Sequence, residues 1–398
     1  SARFVAILLL LAVGAFLYWN SVDKAQAWPV LIAMLVVSCP CALSLAAPTV
    51  LAAANARLLG QGILAIAPHT LEALHRATHV VFDKTGTLTL GRPALRTIET
   101  SSETDRNSAL ALAATIATGS SHPLSTTLCA AACDLPHAGA AFDIESFAGR
   151  GIEATVQESR YRLGSAEFVA QLAGSAMPFE PSIAGSEVYL GSSTVWLARF
   201  TLNDTLRPEA RAVVEHFKAK GKTIVLLSGD RQGLVQGIAR ELAVDQASGD
   251  CLPEHKVAIV RALQSEGALV AMIGDGINDA AVLSAADVSF AMGEGSALAQ
   301  ASADCILLSG RLDSLLEVDF VAGEAARLMK QNLIWAACYN LAAIPAAAFG
   351  MIAPWMSAIG MSASSMLVVL NALRIYRKVR AVRKPANVSA GSAGMVQV

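Results

Sequence analysis

Long apolar runs lie near both ends of the chain, and a mixed segment lies between them. The runs cover residues 4–18, 28–54, 333–352 and 355–373. Each is close to the ~20 residues that a helix needs to cross a bilayer. The pattern predicts four membrane-spanning helices in two hairpins, within 1–57 and 331–374. A secretory signal is the alternative for the first run. Against it, Arg3 is the only basic residue before that run, and no small-residue cleavage site with a polar sequel appears before the second run.

The middle of the chain alternates strand-like and helix-like segments. Four strand-like segments end in polar or glycine residues: HVVFD (79–83), TIVLLSGD (223–230), ALVAMIGDG (268–276) and DVSFAMG (287–293). Helical patterns lie at 208–220, 231–242, 254–266 and 278–286. This alternation predicts a parallel α/β sheet in 58–91 and 201–330, with ligands beyond the carboxyl ends of its strands. The segment 92–200 is richer in Ser, Gly and Thr, which predicts an inserted second domain.

Composition and charge favour a membrane protein. Hydrophobic residues make up 54% of the 398 residues, charged residues 16%, and mean hydropathy is +0.50. Lys and Arg cluster after the last apolar run, whereas loop 20–28 carries only Asp23 and Lys24, so both ends and the middle segment are predicted to be cytoplasmic. Residues 375–398 are predicted to be a basic, disordered tail. The net charge of -2 gives no reason to expect nucleic acid, and seven scattered cysteines indicate reduced thiols.

The string FDKTGTLT (82–89) carries the most specific chemical signal. It places Asp83 at the end of a predicted strand, before a turn that contains Gly86. Asp near Gly is a common strand end, but the whole string resembles the phosphorylation motif of P-type ATPases, whose core is haloacid-dehalogenase-like. The resemblance implies that Asp83 attacks the γ-phosphate of ATP to form an aspartyl phosphate. Lys84 and Thr85 are then implied to hold the phosphoryl group and the metal.

Further motifs follow in the order that this resemblance implies. GDGIND (274–279) supplies Asp275 and Asp279 as a Mg²⁺ pair, with Asn278 toward the phosphate. Ser228 in SGD supplies a hydroxyl contact. Lys256 in PEHK neutralises the phosphate; alone, a solvated lysine would be the better interpretation.

Two positions bear on what kind of enzyme this is. Phosphatases of the same superfamily usually carry a second Asp two residues after the nucleophile, and here that position is Thr85. The covalent phosphate is therefore expected to persist, which favours a pump over a hydrolase. Asp204 and Arg207 in NDTLRPEA match the hinge between the family's two soluble domains, with a structural and nucleotide-adjacent role.

The inserted segment resembles the nucleotide-binding domain of the metal-pumping branch. SSHPL places His122 and Pro123 where the branch orients the nucleotide, and Gly149 and Gly151 match a glycine pair that faces the adenine. Gly164 follows in YRLGS as a further implied nucleotide-binding residue.

Two positions depart from the branch. Ala117 stands where a Glu is frequent, and Ser165 stands where Asn is usual. Nucleotide affinity is therefore expected to differ from the family norm.

The second apolar run contains Cys39, Pro40 and Cys41. Proline must kink or unwind the helix, which allows the two cysteines to approach one ligand. Thiolates favour soft ions, Cu⁺ foremost, with Zn²⁺ also open. Residues 333–373 contain no Asp, Glu, Lys or Arg, so no charged ligand suited to a divalent ion lies there. Together with the cysteines, the set resembles the Cu⁺-transporting group, and the other implied Cu⁺ ligands are Tyr339, Asn340, Met361 and Ser365.

The resemblance implies a complete picture of the protein. The expected fold is α-helical transmembrane hairpins plus a cytoplasmic α/β haloacid-dehalogenase-like phosphorylation domain with an inserted α+β nucleotide-binding domain. The expected cofactors are ATP and Mg²⁺, the expected cargo is Cu⁺, and the expected partners are membrane lipid and a cytoplasmic copper chaperone, but no nucleic acid. The expected location is the bacterial cytoplasmic membrane, and the oligomeric state stays open.

The motifs cover only the later part of the family's plan. The 398 residues contain no TGE loop of an actuator domain and no CxxC, so the chain is expected to be a truncated form that lacks earlier helices. The alternatives are a Zn²⁺ or Cd²⁺ pump and, in a different class, a membrane-tethered phosphatase. The sequence also leaves open whether exported copper serves detoxification or oxidase assembly.

Overall fold

A computed structural model describes residues 2–39, 41–120, 122–136, 138–147, 149–174, 176–179, 186–275 and 279–376. The predictions for Pro40, for Asn278 and for most of the tail (377–398) lie outside the described residues. The chain divides into two compact units. The first holds Ser1–Gly60 and Phe320–Val398, and the second holds Gln61–Asp319.

The helices are α1 (Ala2–Val22), α2 (Lys24–Val37), α3 (Cys41–Leu45), α4 (Pro48–Leu59), α5 (Thr70–Arg76), α6 (Arg106–Ala117), α7 (Pro123–Ala131), α8 (Ala166–Ala170), α9 (Ala210–Ala219), α10 (Gln232–Leu242), α11 (Pro253–Ser265), α12 (Ala280–Ala285), α13 (Ala297–Ser302), α14 (Ser314–Ala348) and α15 (Pro354–Ala372). The strands are β1 (Ile63–Ala65), β2 (His79–Asp83), β3 (Thr89–Thr100), β4 (Ala141–Phe147), β5 (Gly151–Val156), β6 (Ser159–Gly164), β7 (Ser186–Ser192), β8 (Trp196–Leu206), β9 (Thr223–Leu227), β10 (Gln246–Ser248), β11 (Val270–Gly274), β12 (Val288–Met292) and β13 (Cys305–Leu307).

One sheet of the second unit is the predicted parallel α/β sheet. Among the described residues it has seven strands in the order β1-β13-β12-β11-β2-β9-β10, parallel except where β1 meets β13. Residues of β2, β11 and β12 are buried almost throughout, as expected for strands covered on both faces. On α9 the buried residues Ala210, Val213, Val214 and Phe217 have the spacing of one helical face.

The inserted segment forms a second sheet in the same unit. Its described strands follow the antiparallel order β3-β8-β7-β6-β5-β4, and α6 and α7 cover one face through a core that includes Ile116, Leu128 and Phe200. Asp105 begins α6 because its carboxylate accepts the backbone N–H groups of Asn107 and Ser108. The sheet runs from Thr89 to Leu206, somewhat beyond the predicted 92–200.

Two described segments of the first unit have the length and composition of membrane spans, whereas the sequence pattern predicted four. Of the described helices, the segment Lys24–Leu59 (36 residues) and the segment Pro354–Tyr376 (23 residues) are long and apolar enough to cross a membrane. Ala6–Val22 is a shorter apolar helix. The run at 333–352 is not a separate helix, because it forms the end of α14, which starts in the other unit with charged turns and ends at Ala348.

Candidate functional site

The carboxyl ends of three neighbouring strands create the first site. β2 ends at Asp83, which is in register with Leu227 of β9, while Phe82 is in register with Ile273 of β11. The next residues along β9 and β11 lead to Ser228 and Asp275. Adjacent parallel strands therefore bring together motifs that are far apart in the sequence.

Lys256 joins two carboxylates at this edge. Its Nζ donates to Oδ1 of Asp83 at 2.5 Å and to Oδ1 of Asp279 at 2.7 Å, and all three residues are buried. The pKa of Asp83 is raised to about 7, chiefly by burial and next by the charge of Asp279, while Lys256 opposes the shift. The pKa of Lys256 is raised, because the two carboxylates outweigh its burial.

Three carboxylates at the same edge form a cluster that suits a hard cation. Oxygen atoms of Asp83, Asp275 and Asp279 lie within 4.8 Å of one another. Burial, with Asp279 beside it, raises the pKa of Asp275 to about 6. Such crowding of acidic oxygens around a single buried ammonium fits Mg²⁺, which binds one or two carboxylates together with phosphate oxygens. Gly86, with φ +71°, passes so close to Asp275 that any Cβ there would overlap its carboxylate.

The loop after Asp83 holds the other predicted phosphate ligands. The backbone N–H of Thr85 donates to Oδ2 of Asp83 at 2.9 Å, and the Thr85 side chain is exposed. The buried ammonium of Lys84 forms an ion pair with Asp230. Sequence reasoning did not single out Asp230, although it is the last residue of the SGD motif. Ser228, 1% exposed, accepts the backbone N–H of Asp230 at 3.1 Å.

Asp204 and Arg207 lie against the same loop. The hydroxyl of Thr89 donates to Asp204. The buried guanidinium of Arg207 donates to the carbonyls of Gly86 at 3.0 Å and Gly310 at 2.8 Å. Both residues therefore contact the chain near the points where it leaves for the inserted sheet and returns from it; their role as a hinge stays a prediction.

The inserted sheet contains a cavity of about 410 Å³. His122, Gly149, Gly151 and Gly164, four of the predicted nucleotide residues, all line it. His122 also begins α7, because its Nδ1 accepts the backbone N–H of Leu124 at 3.3 Å. Pro123 follows as the first residue of that helix, and its side chain lies outside the described residues. The polar wall also includes Ser120 of the SSHPL motif and Ser165, together with Ser125, Ser146, Arg150 and Glu187, to which the sequence motifs gave no role.

Two of the cavity glycines are required by the sheet itself. Gly151 of β5 and Gly164 of β6 are direct partners. A Cβ on Gly151 would overlap the carbonyl oxygen of Leu163, and one on Gly164 would overlap that of Arg150. Gly149 differs, since its φ of +72° favours glycine while the space around it is open.

The two positions that depart from the branch pattern have different surroundings. Ala117 is fully buried in the core of the inserted sheet. Ser165 lines the cavity and begins α8 by accepting the backbone N–H of Phe168 at 3.3 Å.

The second site lies in the first unit, where sulfur atoms meet. α2 ends at Val37 and α3 begins at Cys41, so the helix is interrupted at the predicted point. Cys39 and Cys41 form a disulfide with Cα atoms 5.4 Å apart. The prediction that all seven cysteines are reduced is therefore wrong for this pair in the structure. The helix interruption brings the two sulfur atoms close enough to bond. Cys41 Sγ lies 3.9 Å from Sδ of Met361 on α15.

The described contacts of the other predicted ligands, Tyr339, Asn340 and Ser365, do not join them directly to the sulfur atoms. The hydroxyl oxygen of Tyr339 packs on Gly360, the residue before Met361, where a Cβ would come within 2.9 Å of it. Asn340 and Ser365 are both half-buried. The neighbouring Ser364 accepts the indole N–H of Trp335 at 3.1 Å. The described contacts thus bring together two sulfurs of α3 and α15 and place Tyr339 next to Met361.

Comparison with known proteins shows which families the chain resembles. Residues 77–287 match the family model of haloacid dehalogenase-like hydrolases. The chain is 40% identical over 369 residues to the nitrogen fixation protein FixI of Rhizobium leguminosarum bv. viciae, covering 92% of this chain and 47% of that protein. It is 36% identical over 389 residues to the copper-exporting P-type ATPase of Bacillus subtilis (strain 168), covering 95% of this chain and 48% of that protein.

A solved structure agrees at the level of the fold. The crystal structure of a zinc-transporting PIB-type ATPase in the E2.Pi state superposes with a TM-score of 0.82 at 29% identity, covering 94% of this chain and 62% of that one. The chain spans about half the length of the curated relatives that it matches. The predicted fold class, a haloacid-dehalogenase-like phosphorylation domain with an inserted nucleotide-binding domain and membrane helices, is confirmed. The chain belongs to the haloacid dehalogenase-like hydrolase family and, within it, to the P-type ATPases of the heavy-metal (PIB) kind.

Proposed function

We propose that the protein exports Cu⁺ across a membrane at the expense of ATP, with a phosphorylated Asp83 as the intermediate. The observation that carries the choice of ion is the approach of Cys41 Sγ to Met361 Sδ at 3.9 Å. Thiolate and thioether sulfurs are the ligands that favour Cu⁺. The pair Cys39 and Cys41 must be reduced before it can bind the ion.

The chemical step follows from the surroundings of Asp83. Its carboxylate attacks the γ-phosphorus of ATP, the bond to the bridging oxygen breaks, and ADP leaves. Lys256 favours the ionised, nucleophilic form of Asp83, which burial and Asp279 oppose. The backbone N–H of Thr85 holds Oδ2, so Oδ1 is the oxygen that lies toward Lys256 and the acidic cluster.

Asp83, Asp275 and Asp279 would hold Mg²⁺, which when bound neutralises phosphate oxygens during transfer. Thr85 stands where a phosphatase would carry an acidic general acid/base, so the acyl phosphate is not rapidly hydrolysed by this loop. The cavity of the inserted sheet would bind the adenosine moiety beside His122 and Gly149.

A Zn²⁺ or Cd²⁺ pump is the alternative within the same class. The zinc-transporting structure at a TM-score of 0.82 favours it at the level of the fold. Against it, residues 333–373 contain no acidic or basic side chain, whereas the copper-exporting relative of Bacillus subtilis is 36% identical. A monovalent soft ion needs no carboxylate to balance its charge beyond the two thiolates.

The proposal also covers the location of the protein and the delivery of the ion. We place the protein in the bacterial cytoplasmic membrane, with the second unit in the cytoplasm, since Lys and Arg follow the last apolar run. A cytoplasmic copper chaperone would deliver the ion, because free Cu⁺ binds tightly to any accessible thiol.

Two measurements test the proposal. Incubation with γ-labelled ATP should label the protein covalently, and Asp83→Asn should remove the label. ATP hydrolysis should rise with Cu⁺ under reducing conditions and not with Zn²⁺. Labelling that persists in Asp83→Asn, or stimulation by Zn²⁺ but not Cu⁺, would contradict the assignment.

A further inference from the structure

Between α2 and α4 the regular run of helical backbone hydrogen bonds is interrupted, since α2 ends at Val37 and α4 begins at Pro48. In an apolar environment each backbone polar group must find a hydrogen bond. Three described carbonyls accept from hydroxyl groups of the same segment: Met34 from Ser38 at 2.6 Å, Cys41 from Ser44 at 3.1 Å and Leu45 from Thr49 at 2.7 Å. The Met34 carbonyl also accepts the backbone N–H of Ser38 at 2.9 Å. The segment is thus locally satisfied at these points.

The carbonyl of Ala46 has a different kind of partner. It accepts from Nδ2 of Asn332 at 3.3 Å, and Asn332 belongs to α14. Asn332 is 1% exposed. A buried amide with this geometry costs free energy unless its groups are paired, so its contacts define where it can lie.

The side-chain amide of Asn332 also forms hydrogen bonds with α15. Its Nδ2 also donates to the carbonyl of Val368 at 3.4 Å, and its Oδ1 accepts from Nδ2 of Asn371 at 2.9 Å. Both N–H donors are therefore occupied, one by each neighbouring segment. A single side chain joins the interrupted helix, α14 and α15.

The two carbonyls stand close in sequence to the two sulfurs that meet. Ala46 is five residues after Cys41, and Val368 is seven residues, or about two helical turns, after Met361. The Asn332 amide thus ties together the same two segments whose sulfurs lie 3.9 Å apart. We propose that Asn332 is a positioning residue for the soft-metal site, setting the separation of Cys41 and Met361 without touching the ion. The inference rests on the proposed Cu⁺ transport.

The test uses the whole protein in membranes, with free Cu⁺ fixed by a chelator buffer under reducing conditions. Asn332→Leu keeps the volume of the side chain and removes both donors. We expect the Cu⁺ concentration for half-maximal ATPase stimulation to rise about tenfold, with the maximal rate within about twofold of wild type. Gln331→Leu is the matched control. The neighbouring Gln331 is exposed, and it accepts from Asn371 and Arg374 only over the long distances of 3.4 and 3.5 Å. Gln331→Leu should therefore behave as wild type.

Asn332→Ala provides a second variant, and it decides the matter if Asn332→Leu does not accumulate. A half-maximal concentration within about twofold of wild type in either folded variant, or a lower maximal rate with unchanged half-saturation, would overturn the positioning role. A wild-type protein that Cu⁺ does not stimulate would instead overturn the proposed function, and this inference with it.

Discussion

The ammonium of Lys256 donates to Oδ1 of Asp83 at 2.5 Å, across 173 positions of sequence. The same nitrogen bonds Asp279 at 2.7 Å. The nucleophile, its counter-charge and a carboxylate of the cation cluster are therefore interdependent. Changing Lys256 or Asp279 is therefore expected to change the pKa of Asp83.

Removing the charge of Lys256 should raise the pKa of Asp83 above its value of about 7, because burial and the charge of Asp279 would then act unopposed. We expect Lys256→Met to shift the midpoint upward by about one unit or more. Infrared titration of the metal-free protein, with Asp83→Asn subtracted to isolate this carboxyl band, measures it. Lys256→Arg keeps the charge and should titrate near wild type. A midpoint in Lys256→Met at or below that of wild type would show that the ion pair does not control Asp83.

Asp83→Asn should stabilise the metal-free protein at alkaline pH. The pKa of Asp83 is about 7 in the folded chain against 3.8 unfolded, so the folded state binds the proton more tightly. Stability therefore falls as pH rises from about 4 to 7, and the cost of ionisation is complete above pH 7. We expect the variant to gain about 1–4 kcal/mol at pH 8 and much less at pH 5. Thermal unfolding in detergent at both pH values measures this, and an equal gain at both would contradict the linkage.

The sequence predicted the catalytic edge because each motif ends a strand. The carboxyl ends of neighbouring parallel strands lie at the same edge of the sheet. The sequence alone therefore indicated that Asp83, Ser228 and Asp275 lie together at that edge. The pairing of Lys84 with Asp230 could not be derived in this way. It depends on which of two neighbouring loops a flexible lysine reaches, and no spacing in the sequence encodes that choice.

The sequence motifs did not show why Gly151 and Gly164 must be glycine. From the motif, Gly151 indicated close approach of a nucleotide base, and the structure adds that Gly151 and Gly164 are needed for the pairing of β5 with β6. Likewise the apolar run at 333–352 has the composition of a separate span, yet it continues a helix that begins at Ser314. Local composition does not show where a helix starts when its first turns are charged.

Asp319 should stabilise the second unit through its ionised form. It is 1% exposed and accepts from His216 at 2.6 Å and Lys220 at 2.5 Å. Burial alone would raise its pKa, but these partners hold the pKa below 3.8. Its stabilising effect is therefore complete above about pH 4 and is lost as pH falls through the lower folded value. Asp319→Asn should cost about 2–3 kcal/mol at pH 7 and progressively less below pH 4.

Chemical denaturation across this pH range measures the effect of Asp319→Asn. Glu72→Gln is the control, because Glu72 pairs with Arg76 on an exposed helix face and should change stability by less than about 0.5 kcal/mol. If the two variants lose the same amount at pH 7, the buried ion pair contributes nothing specific.

Alanine at the paired glycines should damage the nucleotide cavity. A Cβ on Gly151 or Gly164 would overlap a backbone carbonyl, so β5 and β6 must move apart at the cavity wall. We expect Gly151→Ala to weaken binding of a fluorescent ATP analogue at least about tenfold. Gly149→Ala is the matched control: it strains a φ of +72° but meets open space, so affinity should change by less than about threefold. Equal losses in both variants would argue against the steric explanation.

Met361 should contribute to Cu⁺ affinity only when the cysteine pair is reduced. Its Sδ lies 3.9 Å from Cys41 Sγ, while Cys39 and Cys41 are joined as a disulfide. Reduction by a dithiol breaks that bond, giving two thiols on the protein and an oxidised reagent, and frees both sulfurs for the ion. Titration with Cu⁺ against a chelator should therefore show binding after reduction and none after oxidation.

Met361→Leu should weaken binding to the reduced protein by about tenfold, since leucine keeps the volume and removes the thioether. Met366→Leu, on an exposed part of the same helix, should bind as wild type, and a loss as large as that of Met361→Leu would show that the thioether at 361 is not a ligand.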